Sequence, residues 1–168
     1  MQEIILVKYG EMALKGMNKK TFEDILVKNI KRRIKSLGKT EITRAQSTIY
    51  IAPLDEFFDA DEAIERLKKV FGIAALCRAA VCEKDFEDIK SKSIEYLDEV
   101  LSYAKTFKVT AKRADKSFPM KSPEICRELG GVLLEKFSHL TVNVNDPEIT
   151  VTIEIRDTKA YILSLIHI

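Results

Sequence analysis

The residues best suited to chemistry form a basic segment from Lys105 to Arg127, which has seven Lys or Arg and only two acids, Asp115 and Glu124. Alternating apolar residues near its start predict a strand, and Ser122-Pro123-Glu124 marks the start of a helix. A basic loop beside a helix N-terminus is suited to binding phosphate groups. The segment therefore indicates a polyanionic partner, above all nucleic acid.

The loop within this segment, Arg113–Lys121, adds an aromatic side chain to the cations. Cations attract phosphates, and an exposed aromatic ring stacks on an unpaired base with about 1–3 kcal/mol. This mixture is typical of sites for single-stranded RNA ends. Two alternatives stay open: Phe118 packs back onto the core, and the cations are merely solvated. The predicted RNA-binding residues of the segment are Lys112, Arg113, Lys116, Phe118, Lys121 and Arg127.

A second basic surface is predicted on a helix from about Phe22 to Leu37, which Gly38 ends. Its apolar residues recur at helical spacing, and four cations occupy the opposite face at i, i+3, i+4 and i+7. These like charges repel one another, and a bound polyanion would relieve the repulsion. The predicted RNA contacts of this half are Lys28, Lys31, Arg32 and Lys35 on the helix and Lys15 in the loop before it.

Charge is segregated along the chain although the net charge is only +2. Residues 8–44 carry eleven bases and four acids, and residues 55–99 carry seven bases and thirteen acids. Nucleic-acid-binding proteins often combine basic patches with a near-neutral total. No apolar run reaches the roughly 18 residues that span a bilayer, and the N-terminus does not resemble a signal peptide. We therefore expect a cytoplasmic protein without a membrane partner.

No catalytic or metal-binding set is visible. The sequence has no GxGxxG and no Ser-Gly-Gly-x-Asp-Ser nucleotide loop, and neither histidine has a partner at a catalytic or metal-ligand spacing. Three cysteines, Cys77, Cys82 and Cys126, form no CxxC pair and indicate reduced, mostly buried thiols. The acids of residues 83–88 indicate a helix start. We expect no metal and no cofactor in this chain, which binds and does not catalyse.

The order of predicted elements indicates an α+β protein with two packed domains. Residues 1–82 follow the order β-α-β-β-α-β of a ferredoxin-like unit. A long helix from about Asp85 to Ala104 begins the second domain, and the basic segment and alternating strands follow. Gly130-Gly131 lies inside a helix at a cost of up to about 1 kcal/mol per glycine. Close packing on the sheet is the favoured explanation, and close approach of RNA is the alternative.

Two stretches resemble a known family. LVKYGEMALKGMNKKTFE is similar to the opening of tRNA 4-thiouridine synthetases, the ThiI family, which also serves thiamine thiazole formation. FKVTAKRADKSFPMKSPEICRELGG, followed by VNVNDPEITVTIEIRDTKAYI, resembles a THUMP domain. The resemblance implies a ferredoxin-like domain over 1–82 packed on an α/β THUMP domain over 83–162. Arg113, Lys116, Phe118 and Gly130 match the THUMP pattern, whereas no cysteine matches a sulfur-carrying position.

The resemblance also implies a function. The family's two N-terminal domains bind tRNA, and the THUMP domain recognises the acceptor stem and its 3′ CCA end. A following nucleotide-loop domain adenylates a uridine with ATP and Mg²⁺. A cysteine persulfide, loaded by a cysteine desulfurase, then supplies sulfur, and the full-length protein acts as a homodimer. This chain is expected to be the tRNA-binding, non-catalytic half of such a sulfurtransferase.

The last residues depart from the family pattern. Residues 163–168, LSLIHI, replace the expected linker and match a translated sequencing adapter, so we expect a non-native tail on a truncated gene. The alternatives are a stand-alone RNA-binding THUMP protein, the front of another THUMP-containing enzyme such as a methyltransferase, and a ferredoxin-like interaction module without RNA. The sequence that follows in the genome separates the first two from a sulfurtransferase.

Overall fold

The computed structural model describes residues 1–10 and 18–166, and no side chain beyond Ser164. The chain divides into two compact units. The N-terminal unit is Glu3–Arg78, and the C-terminal unit is Met1–Gln2 with Ala79–Ile168. Over the described ranges, no helix combines the length and the apolar character that crossing a membrane requires.

The N-terminal unit is a four-stranded sheet with two helices. Its strands are ordered β2-β3-β1-β4, and β3 is antiparallel to both β1 and β2. The predicted β-α-β-β-α-β order of a ferredoxin-like unit is confirmed. The elements are β1 (Glu3–Tyr9), α1 (Lys19–Ile34), β2 (Thr40–Ala45), β3 (Thr48–Pro53), α2 (Ala60–Leu67) and β4 (Ile73–Cys82).

Helix α1 forms where its sequence provides both a cap and an apolar face. The side-chain oxygen of Asn18 accepts a hydrogen bond from the backbone N–H of Thr21 at 2.8 Å, which satisfies one of the free amides of the first turn. The apolar face is buried in the core of the unit, against strand residues such as Ile5 and Ile51. A 3₁₀ turn, Lys35–Leu37, continues the helix and leaves the opposite, cationic face in solvent.

Helical spacing of apolar residues predicts that α2 runs from about Asp59 to Phe71 with Phe71 on its buried side, and this prediction is wrong for Phe71. The helix ends at Leu67, four residues earlier than predicted. Beyond it the backbone closes tighter i→i−3 bonds, such as Val70 N–H to the Leu67 carbonyl at 3.1 Å. The helical phase is lost in that turn, and the Phe71 side chain is 84% exposed.

The C-terminal unit is a mixed sheet whose strands are ordered β4-β8-β7-β5-β6. Strand β8 is antiparallel to β4 and β7, and β5 is parallel to β7 and β6. The elements that follow β4 are α3 (Phe86–Tyr96), α4 (Asp98–Tyr103), β5 (Thr106–Arg113), α5 (Ser122–Lys136), β6 (Thr141–Val142), β7 (Ile149–Ile155) and β8 (Ala160–Ile166).

Two predicted elements of this unit differ from the structure. The single helix expected from Asp85 to Ala104 is divided into α3 and α4 at Leu97, whose φ of −95° and ψ of 3° depart from helical values. Its side chain is fully buried, so the break keeps an apolar contact. Val142 and Val144 predict a short strand, but the strand ends at Val142, and Val144 is exposed.

The residues predicted to be a foreign tail lie partly in β8. Leu163 pairs with Thr152, and the pairing continues to Ile166 opposite Ile149. Backbone hydrogen bonds make this ladder, and an apolar sequence of any origin can form them beside a free strand edge. The foreign origin of residues 163–168 therefore stays a prediction. His167 lies outside the described residues.

Candidate nucleic-acid interface

The basic loop is the segment from Arg113 to Lys121, between β5 and α5, and hydrogen bonds fix the backbone of its first half. Ala114 N–H donates to the carbonyl of Ile155 at 2.8 Å, which extends the β5–β7 pairing into the loop. The Asp115 carboxylate accepts from the Ser117 N–H at 2.9 Å and from the Ser117 hydroxyl at 2.6 Å. These contacts fix the turn, so the loop presents its cations from a defined backbone.

Phe118 does not project from the basic loop as a stacking platform. Its side chain is only 5% exposed and belongs to the core cluster of the C-terminal unit, with Leu129 and Ile155. The predicted stacking of Phe118 on an unpaired base is therefore wrong for this conformation, and the alternative of a ring packed onto the core is correct. The neighbouring Pro119 and Met120 show no apolar periodicity, so the sequence alone does not decide between stacking of Phe118 on a base and packing of Phe118 on the core.

Arg113 has a structural contact inside the loop. Its guanidinium donates to the carbonyl of Phe118 at 3.2 Å and, more weakly, to that of Lys116 at 3.4 Å. The side chain is half-buried. Arg113 thus helps to hold the loop closed, and its predicted contact with RNA stays a prediction.

Four other predicted residues are exposed cations of the same segment. In the described part of the chain, Lys112, Lys116 and Lys121 form no side-chain ion pair, and the only one of Arg127 is a 3.9 Å contact with Glu128. An exposed pair at that distance contributes little. Among the described residues, these cations of the loop and of the first turns of α5 therefore have no close ion-pair partner.

The single acid of the basic loop, Asp115, is neutralised from within the protein. Its carboxylate pairs with the ammonium of Lys84, which also donates to the carbonyl of Asp157 at 2.8 Å. The contacts with Lys84 and Ser117 hold the pKa of Asp115 well below its usual range. Asp115 is thus charged at neutral pH but does not oppose an approaching anion as a free carboxylate would.

The predicted basic surface of α1 is exposed as expected. Lys28, Lys31, Arg32 and Lys35 all lie in solvent, on the face opposite the core of the N-terminal unit. The Arg32 guanidinium donates to the side-chain oxygen of Asn29 one turn earlier. Lys15 lies outside the described residues. Whether any of these side chains contacts RNA stays a prediction.

Gly130 and Gly131 do not serve close packing within the described protein. A Cβ at either position would have no heavy atom within 4 Å, apart from the backbone of its own helix and its chain neighbours. The favoured explanation, packing of α5 on the sheet, is therefore wrong, because the helix buries its other side through Ile125, Leu129 and Leu133. Together with Arg127, the two glycines mark an outward stripe of α5.

Cys82 is buried in the core of the C-terminal unit, whereas Cys77 and Cys126 are half-buried. Burial raises the pKa of the Cys82 thiol to about 12, and burial also raises the pKa of Cys126. No disulfide joins the three cysteines, all of which lie in the described ranges. Among residues 1–10 and 18–166, no cluster of His, Cys, Asp or Glu could hold a metal ion.

Comparison with known proteins assigns both units. Residues 4–77 match the ThiI ferredoxin-like domain, and residues 83–165 match the THUMP domain. The chain belongs to the ThiI family. Among curated relatives, it is 46% identical over 159 residues to a probable tRNA sulfurtransferase of Acetivibrio thermocellus and 43% identical to that of Alkaliphilus metalliredigens. These alignments include 94% of this chain and 41% and 40% of the relatives, so this ThiI chain spans about two-fifths of their length.

Solved structures agree with this assignment. A 4-thiouridine synthetase in complex with RNA and bound ATP superposes with a TM-score of 0.83 and 33% identity, over 98% of the ThiI chain and 41% of that protein. TrmN from Thermus thermophilus superposes with a TM-score of 0.65 over 99% of this chain and 46% of its own. Its identity is 17%, so this second likeness shows a shared fold alone.

Proposed function

We propose that this chain is the tRNA-binding part of a tRNA sulfurtransferase that makes 4-thiouridine. The observation that carries the proposal is the set of exposed cations on the basic loop and α5, of which Lys112, Lys116 and Lys121 have no ion-pair partner among the described residues. Phosphate contacts dominate affinity for nucleic acids and need such uncompensated Lys and Arg. The names of the curated relatives and the RNA in the similar solved structure support the same reading.

The basic loop is the proposed contact for the tRNA acceptor stem and its 3′ CCA end. Lys116 lies within the turn that Asp115 fixes, Lys121 directly precedes α5, and Lys112 and Arg127 extend the charge onto β5 and α5. Cations on a fixed backbone bind phosphates without ordering the loop first, which preserves affinity. Phe118 has no part in this contact because it is buried.

The chemistry of the sulfurtransferase is proposed for the rest of the protein. There, ATP and Mg²⁺ activate the uridine, and a cysteine persulfide loaded by a cysteine desulfurase delivers sulfur. This chain uses no cofactor and does not catalyse; it positions the tRNA. The full-length protein works as a homodimer in the cytoplasm, where its tRNA substrate is found.

The match of residues 4–77 to the ThiI ferredoxin-like domain favours the sulfurtransferase over the front part of a methyltransferase. Likeness to TrmN does not reverse that preference, because at 17% identity it concerns the fold alone. The genomic sequence downstream separates the sulfurtransferase from a stand-alone THUMP protein. A Ser-Gly-Gly-x-Asp-Ser loop there supports the sulfurtransferase, and a native stop codon after Ile168 contradicts it.

The proposal is tested by measuring tRNA affinity of the 168-residue chain as a function of salt. Lys116→Ala with Lys121→Ala should weaken binding and make the slope of log K against log salt shallower by about two units, since each phosphate contact contributes roughly 0.9. Lys69→Ala with Lys136→Ala is the matched control, because it removes the same charge from exposed positions outside the loop.

Removal of the 3′ CCA from the tRNA tests the finer assignment. The wild-type chain should lose affinity for the shortened tRNA, and the Lys116, Lys121 double variant should lose less, because both changes remove the same contact. Equal affinity of the double variant and the wild type for intact tRNA excludes the basic loop from the interface.

A further inference from the structure

A wide groove lies on the N-terminal unit, between the C-terminal end of α1 and the segments that flank β2 and β3. Its volume is about 1370 Å³. Ordinary small-molecule pockets have about 300–1,000 Å³, so the groove is large enough for a segment of a polymer. Its cationic and apolar lining residues are Lys31, Arg32, Lys35, Lys39, Leu54 and Phe57.

The turn after β3 holds Phe57 outward over this groove. Leu54 N–H donates to the carbonyl of Lys39 at 2.8 Å, and the Asp55 carboxylate accepts from the backbone N–H of Phe57 at 3.0 Å. Phe58 packs against the core of the unit, whereas the adjacent Phe57 is 86% exposed. The Phe58 ring thus anchors the turn, and the Phe57 ring faces solvent.

Gly38 lets this turn pack closely. Its φ is +136°, and a Cβ there would lie 3.3 Å from the Cβ of Asp55 and 3.4 Å from the ring of Phe58. The close approach of Gly38 to the turn keeps Phe57 on a braced backbone. An exposed aromatic ring that is already in place loses little conformational entropy when a planar group stacks on it.

The lining of the groove is net positive, with four cations against two acids, Asp55 and Glu56. Within the described residues, Lys31, Lys35 and Lys39 form no ion pair with a side chain. Of the two acids in the lining, Asp55 is occupied with the backbone of its own turn. Four cations beside an exposed ring suit a single strand of RNA, because the cations attract its phosphates and the ring can stack on one of its bases.

The residue types favour RNA over a protein partner. Protein–protein interfaces are depleted in Lys and enriched in Arg, whereas three of the four cations here are Lys. Proteins that bind unpaired nucleic acid instead combine aromatic side chains with cations, because every base has a face that can stack on an aromatic ring. An exposed aromatic residue with an apolar neighbour, Leu54 at 64% exposure, completes such a platform.

We propose that this groove binds an unpaired stretch of RNA, with one base stacked on Phe57 and the neighbouring phosphates held by Lys31, Lys35 and Lys39. The proposal rests on the function proposed above only in taking the RNA to be tRNA. It adds to the basic loop a second RNA contact, one that recognises single strands through stacking.

The test compares single-stranded RNA of about ten nucleotides with a duplex of the same sequence and with a polyglutamate peptide of about ten residues. Phe57→Ala should weaken binding of the single strand about 5- to 140-fold, and Phe57→Trp should retain it. Phe71→Ala is the matched control: Phe71 is 84% exposed on the same unit but does not line the groove. Since both rings are exposed, neither substitution should change the unfolding temperature.

Each outcome decides the proposal. Single-strand affinity that falls in Phe57→Ala and not in Phe71→Ala supports it. Equal affinity of Phe57→Ala and the wild type, or no binding of the single strand, overturns it, even where tRNA still binds through Lys116 and Lys121. Polyglutamate binding that equals RNA binding and is lost in Phe57→Ala assigns the groove to an acidic polypeptide and also overturns it. If the chain binds the single strand through Phe57 but fails to bind tRNA, the groove proposal is supported and the function proposed above is wrong.

Discussion

The ammonium of Lys84, which lies just before α3, pairs with the carboxylate of Asp115 in the basic loop. Lys84 also donates to the Asp157 carbonyl at 2.8 Å, so one side chain ties the loop to the turn between β7 and β8. Asp115 is the only acid between Lys112 and Lys121. The protein therefore uses this acid to shape the loop and leaves the neighbouring lysines available to an external anion.

Asp115→Asn should destabilise the protein at neutral pH, because it removes the charge that Lys84 and Ser117 stabilise. The pKa of Asp115 is lower in the folded state than the unfolded value of about 3.9. Its contribution is therefore complete above that unfolded value, declines below it, and is lost as pH falls through the folded-state pKa. Urea unfolding at pH 7 and at about pH 3 measures the difference between wild type and variant, which should shrink at the lower pH. A difference that stays constant contradicts the role given to the carboxylate.

Phe118→Ala should destabilise the C-terminal unit by about 3–5 kcal/mol, because it leaves a cavity in a closely packed core. Phe118→Leu keeps most of the apolar volume and should cost much less. If Phe118 served as a stacking platform, the Leu variant would lose RNA affinity while staying folded. We expect instead that Phe118→Leu binds tRNA like the wild type, as measured by titration at fixed salt.

The sequence predicts the strands and helices of this chain where an apolar period runs for several turns. The buried face of α1 and the alternation of β7 are such cases, and both are confirmed. The burial of aromatic residues next to turns is predicted less well. The sequence predicts a buried Phe71, which is exposed, and leaves Phe118 open between stacking on a base and packing on the core, where the structure places it. At these positions a one-residue change of backbone direction reverses the side chain, and local periodicity carries no information about it.

For the candidate site as well, the sequence predicts some of the exposed residues and misses others. The exposure of Lys116 and Lys121 follows from their sequence, because charged loop residues are seldom buried. Phe57 and Lys39 were missed, since they come together only through the contact of Leu54 N–H with the Lys39 carbonyl. The doublet Phe57-Phe58 after Pro53 is the one signal that could have directed attention to that turn.

Cys82 should be nearly inert toward alkylation in the native protein. Only the thiolate reacts, and with a pKa of about 12 roughly one Cys82 thiol in 10⁴ is ionised at pH 8. In a Cys77→Ser background, iodoacetamide labelling followed by mass spectrometry should show slow modification of Cys82 and rapid modification after unfolding in guanidinium. Fast labelling of native Cys82 would contradict this prediction and reopen the question of whether it can carry sulfur.

Gly130→Ala with Gly131→Ala should stabilise the protein by about 1–2 kcal/mol, since Ala is favoured over Gly in a helix interior by up to about 1 kcal/mol per position. Each new methyl group meets open space, with no heavy atom of a neighbouring segment within 4 Å. Gly38→Ala is the opposite case, because its φ of +136° is strained for alanine and Asp55 lies too close. The midpoint of urea unfolding should therefore rise for the Gly130→Ala, Gly131→Ala variant and fall for Gly38→Ala.

If the outward stripe of α5 also contacts the RNA backbone, tRNA affinity falls in the stabilised double variant, so stability and binding change in opposite directions. Unchanged affinity instead confines the two glycines to a cost in helix stability and places the RNA elsewhere on α5.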